Sequence, residues 1–130
     1  MDKELRAVDR LLKALADPTR LRIVGLLQGG EVCVCHIQGS LKISQPKTSR
    51  HLAYLRRSGV VTTERRGLWV YYRLASQPTP VTQSLLDAAR HCVASAPTVH
   101  ADARRLEKET GCGVRVADVA GLAGPSSATA

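Results

Sequence analysis

The chain has 130 residues, 44% of them hydrophobic, and nineteen Lys and Arg against eleven Asp and Glu give a net charge of +8. That suits one compact domain with a modest core and favours a polyanionic partner, nucleic acid foremost. No stretch reaches the roughly 18 consecutive apolar residues of a membrane span, Met1-Asp2-Lys3-Glu4 lacks the apolar run of a secretion signal, and the absence of Phe disfavours a single-strand binder that stacks bases on rings.

A cytoplasmic setting is therefore expected, with Cys33, Cys35, Cys92 and Cys112 as thiols or metal ligands rather than a disulfide framework. From the N-terminus, Leu5, Val8, Leu11, Leu12 and Leu15 recur at helical spacing, and Asp17-Pro18 supplies a stop and a new start. A second amphipathic helix carries Leu21, Ile23, Val24, Leu26 and Leu27 and ends at Gly29-Gly30, where the permissive backbone suits a helix C-terminus. Cys33 and Cys35 follow, just before a helix marked by Ile37 and Leu41. Successive side chains of a regular helix rotate by about 100°, so thiols two positions apart are expected to point apart. One ion joining both is then expected to distort that helix start. A helix N-terminus with cations nearby also predicts a stabilised thiolate.

Ser44 reads as the N-cap of the next helix, with Pro46 tolerated in its first turn. Thr48, Leu52 and Leu55 share one face, which leaves Pro46, Lys47, Arg50, Ala53, Tyr54 and Arg57 outward, Gln45 and Ser49 at the margin, and His51 half buried. Such a face suits the major groove, where Gln pairs with adenine edges, Arg with guanine edges, and Ser with base or phosphate. Residues 60–66 and 68–74 are β-rich and join at Gly67. A hairpin there makes a winged helix-turn-helix, mainly α with one β-hairpin. Arg65 and Arg66 near its tip are placed to reach phosphates or the minor groove. After the break at Gln77-Pro78-Thr79-Pro80, Val81, Leu85, Leu86, Ala89 and Val93 trace a late helix that packs on the first helix or on a second subunit. The chain divides into a winged-helix and dimerisation unit over 1–95, an accessory helix with a Cys-bearing segment over 96–113, and a disordered tail rich in Ala, Gly and Ser over 114–130.

Four segments together resemble the ArsR/SmtB family of metalloregulatory repressors. They are Leu15-Ala16-Asp17-Pro18-Thr19-Arg20-Leu21-Arg22-Ile23, Glu31-Val32-Cys33-Val34-Cys35, Ser44-Gln45-Pro46 through Ser49-Arg50-His51-Leu52, and the wing from Gly67 to Tyr72; the resemblance spans residues 5–95. It implies a homodimer joined through the first and late helices that represses an operon from double-stranded operator DNA. The contacts fall on Ser44, Gln45, Lys47, Ser49, Arg50 and His51 and on the wing residues Arg65 and Arg66. It implies release when arsenite or antimonite binds Cys33 and Cys35, and the softness of thiolates agrees.

Arsenite sensors of this type carry a third cysteine three residues beyond the second, where this chain has Gln38. Cys92 or Cys112 then supplies a third ligand, or two thiolates suffice. Zinc-sensing relatives place ligands on the late helix, where Asp87, His91 and His100 are the nearest candidates; His36 is left unassigned. The other readings are a cadmium, lead or zinc sensor and a thiol redox-sensing repressor of the same fold. An enzyme is disfavoured, because the chain has no phosphate-cradling glycine loop and no Cys-x-x-Cys.

Overall fold

Asp17 makes the first corner. The computed structural model describes residues 2–110, and in it helix α1 (Lys3–Leu15) stops just before this residue. The Asp17 carboxylate accepts from the backbone N–H groups of Thr19 at 2.8 Å and Arg20 at 3.1 Å, which caps α2 (Pro18–Leu26) with Pro18 in its first turn. Arg20 then turns back. Its guanidinium donates to the carbonyls of Ala14 and Lys13, which α1 leaves without intrahelical donors. Helix α2 tightens into a 3-10 turn over Leu27–Gly29 before the chain reverses.

Val32–Cys33 form a short strand β1, which is followed directly by α3 (Val34–Leu41). Lys42, in the left-handed region at φ 56°, closes α3, and its N–H bonds to the Gln38 carbonyl. Helix α4 (Gln45–Arg57) starts at Ser44, whose hydroxyl accepts from the Lys47 N–H. Strands β2 (Val61–Arg66) and β3 (Trp69–Leu74) form the hairpin, and the antiparallel sheet has the order β1-β3-β2. Val32 pairs with Tyr72 and Cys33 with Tyr71. The third strand was not anticipated, because two residues cannot display the alternation by which a strand is recognised.

Thr79 and Thr82 form a reciprocal capping box at the start of α5 (Pro80–Ala94). Helix α6 (Pro97–Thr110) follows and lies against α2 and α3. Expected as an accessory helix, it inserts Val99, Ala103 and Leu106 into the core beside Ile23, Leu26, Ile37, Leu41, Leu52, Leu55, Val60 and Leu86. Gly25 permits that approach, since a methyl group there would collide with Val99. Asp102, wholly buried on α6, accepts two bonds from Arg22 and one from Arg105. The same arginines donate to the Leu41 and Ser40 carbonyls at the C-terminal end of α3. Helix α6 thus clamps α2 and α3 together. The segment 111–130, with Cys112 and the expected tail, lies outside the described residues.

Candidate nucleic-acid interface and thiol pair

Helices α3 and α4 are the two helices of a helix-turn-helix, with β2 and β3 as the wing. Thr48, Leu52 and Leu55 hold α4 in the core, which is the face expected from their spacing. Ser44, Gln45, Lys47, Ser49 and Arg50 come together on the exposed N-terminal half of α4. Gln45 donates to the Ser49 hydroxyl at 3.2 Å, so the two amphoteric groups form one pre-set pair. The positive end of the helix dipole adds to the charge of Lys47 and Arg50, an arrangement that favours phosphate nearby.

His51 is placed differently. Its ring is partly buried, with Nδ1 at 3.2 Å from an Arg20 nitrogen and 4.0 Å from Asp17. Arginine can only donate, so Nδ1 accepts. Burial pushes His51 below its usual range, Arg20, Lys47 and Arg50 push the same way, and Asp17 opposes them. The Arg20 guanidinium also lies 4.1 Å above the Tyr54 ring. Arg20 therefore joins the end of α1, the start of α2 and the middle of α4. Sequence reasoning missed this positioning role, and the signal available was the cation two residues after the Asp17-Pro18 cap.

On the wing, Arg65 is exposed. Arg66, expected as its companion, forms ion pairs with Glu31 at 2.6 Å and Glu64 at 3.1 Å and stacks on Tyr71 at 4.5 Å. Two carboxylates balance its charge, so Arg65 has the freer cation. The Glu31 pair also fastens the wing to the segment just ahead of Cys33.

The sulfurs of Cys33 and Cys35 lie 3.3 Å apart, contrary to the expectation that they point apart. The helical rotation does not separate them, because Cys33 is the N-cap, extended at φ −67° and ψ 141°, and only Cys35 belongs to α3. Bridging them therefore requires no distortion of the helix. The expectation of a stabilised thiolate is also corrected at Cys35. Burial, then the hydrogen bond and charge of Cys33, push the Cys35 thiol up, outweighing the backbone N–H groups of His36 and Cys35 that pull it down.

Cys35 lines a cleft of about 210 Å³ together with Val34, Gln38, Gln45, Thr48 and Ser49. The thiol pair and the outward pair of α4 thus border the same space. Gln38, at the position of the missing third cysteine, donates to the Ile43 carbonyl and braces the turn between the helices. Cys92 is exposed on α5. The late-helix zinc candidates are not gathered. Asp87 is held by Gln83 and Arg90, His91 is exposed, and His100 Nε2 meets the Ala94 carbonyl. Among the described residues no three His, Cys, Asp or Glu side chains are grouped to hold a metal ion.

The family described as bacterial regulatory protein, arsR family, matches residues 17–63. The chain is 48% identical over 84 residues to the arsenical resistance operon repressor of Escherichia coli (strain K12), covering 64% of this chain and 72% of that one. It is 48% identical over 73 residues to the arsenic resistance transcriptional regulator ArsR1 of Pseudomonas putida, covering 55% of this chain and 57% of the relative. Among solved structures, HlyU from Vibrio cholerae superposes with a TM-score of 0.61 at 32% identity, covering 71% of this chain and 97% of that one.

Proposed function

The chain belongs to the ArsR family of bacterial regulatory proteins, and on that footing we propose a homodimeric repressor of an arsenic-resistance operon that leaves its operator when trivalent arsenic or antimony binds Cys33 and Cys35. The observation that carries this reading is the preformed sulfur pair at the start of α3, bordering the same cleft as Gln45 and Ser49. The donor set is soft, which selects arsenic, antimony, cadmium or lead over oxygen-loving cations.

The pair is close enough for one ion to reach both sulfurs. Bonds of about 2.3 Å, the length of a zinc–thiolate bond, span about 3.3 Å when they stand at right angles and about 3.8 Å at the tetrahedral angle of zinc. The sulfurs at 3.3 Å lie within reach of either bite. An ion held by the pair would lie beside the cleft that Cys35 shares with Gln45 and Ser49, within reach of that pair. Cys33 also pairs with Tyr71 of the wing, so the ion sits where α3, α4 and β3 converge. Displacement of the Gln45 to Arg50 face of α4 is then the route to release, and it requires no distortion of the start of α3.

Fluorescence anisotropy of a labelled fragment from upstream of the gene tests the reading. Arsenite or antimonite is expected to release reduced wild-type protein, while Cys33→Ser and Cys35→Ser remain bound. Release of either variant at the wild-type arsenite concentration would exclude capture by this pair. Release by peroxide alone, with arsenite inert, would favour the thiol redox reading.

A further inference from the structure

We propose that Leu68, at the tip of the wing, is an apolar wedge that enters a DNA minor groove and kinks the duplex. Arg66 and Trp69 face each other across the hairpin, so Gly67 and Leu68 alone make the connection. Gly67, at φ 62°, occupies the first loop position, where two-residue hairpins of this kind require a positive φ. The turn leaves Leu68 at the apex. It is 90% exposed, the most exposed large hydrophobic side chain among the described residues, and Trp69 beside it is 53% exposed. Tight turns ordinarily take Gly, Asn, Asp or Ser, whose side chains bond the local backbone or free it. A leucine contributes neither and leaves its apolar surface in water, a cost that burial against a partner removes.

The chain's net charge of +8 and the exposed cations of α4 point to nucleic acid as the partner. Exposed Arg65, paired with Val70, lies one step below the pair that closes the turn, while exposed Arg73, paired with Thr62, lies at the base of the hairpin on its other face. Arg66 is balanced by Glu31 and Glu64, so the tip presents an apolar point with one unbalanced cation, Arg65, beside it. Proteins that bend DNA from the minor groove use this combination. Their basic groups hold the phosphates while a Leu, Ile, Phe, Met or Pro parts a base step. Apolar insertion has no counterpart on the exposed start of α4, whose residues are polar or cationic apart from Pro46.

The inference rests on α4 docking in the major groove, which sets the wing over the flanking minor groove. The test is energy transfer between dyes at the two ends of an operator fragment, measured at saturating protein, with affinity read separately by anisotropy. Wild-type protein and Leu68→Met are expected to shorten the end-to-end distance through a kink of about 20–90°, and Leu68→Ala to bind with the kink lost. A straight wild-type complex, or a Leu68→Ala complex bent as far as wild type, overturns the wedge while the repressor reading stands. Absence of binding by the wild type overturns the docking and the wedge with it.

Discussion

Asp102 is wholly buried, and its neighbours are two arginines that remain partly exposed. A buried carboxylate in this position serves as a bolt between helices, because every bond it accepts comes from a side chain that also reaches the end of α3. Asp102→Ala leaves two guanidinium groups facing an emptied interior site, and a loss of roughly 3 kcal/mol is expected from urea unfolding, at the low end for breaking a buried pair because the arginines can rehydrate. A loss below about 0.5 kcal/mol, the range of ordinary surface changes, would show that the clamp is idle. His51 makes a second prediction at this scale. Its folded-state value lies below the usual one of about 6.5, so the unfolded chain takes up the proton more readily. The stability that His51 contributes is then complete above pH about 6.5 and is lost as the pH falls through the lower folded value. Urea midpoints between pH 7 and pH 5 are expected to fall for the wild type and to fall less for His51→Gln. Equal falls would place the acid sensitivity elsewhere.

Among the elements, α4 and the wing were legible in advance because their information is local. Thr48, Leu52 and Leu55 announce a buried face by spacing alone, Ser44 announces the cap, and Gly67 announces the turn. What escaped depends on partners distant in the chain. Arg22 meets Asp102 across 80 positions and Arg66 meets Glu31 across 35, and no periodicity encodes such pairs. The thiol geometry escaped for a different reason: β1 ends where α3 begins, so a rotation rule valid inside one element was applied across a junction. The exposed half of α4 yields a contrast between two cations. If Arg50 reaches a base edge, Arg50→Ala weakens binding to the operator by about 1–3 kcal/mol and leaves scrambled DNA unaffected. Lys47→Ala, by losing a phosphate contact, weakens both DNAs alike and reduces the salt slope by about one unit. Binding isotherms on both DNAs at several salt concentrations separate these outcomes, and identical behaviour of the two variants would dissolve the distinction.

At the scale of the whole molecule, the described chain leaves, besides the wing tip, an apolar surface on α1 and α5 without a partner. On α1, Leu5 and Leu12 are 58% and 47% exposed with half-buried Val8 between them, and on α5 Val81 is 49% exposed in line with Leu85, Ala88 and Cys92. Thr79, the cap of α5, donates to Glu4 of α1, so the two stripes are neighbours. A two-fold copy covering both would have to set its two α4 helices about 34–36 Å apart, one turn of DNA, to enter successive major grooves. Placing a carboxylate in this surface, as in Leu12→Asp, is expected to yield monomers by sedimentation with the circular dichroism unchanged. The consequence for DNA binding is quantitative. Since log Kobs falls with log salt at a slope of about −0.9 per phosphate neutralised, halving the complement of Lys47, Arg50 and Arg65 should halve the slope. A Leu12→Asp protein that stays dimeric moves the interface off α1. A monomer that retains the full slope would mean that one subunit already supplies every phosphate contact, and the two-fold operator complex would have to be abandoned.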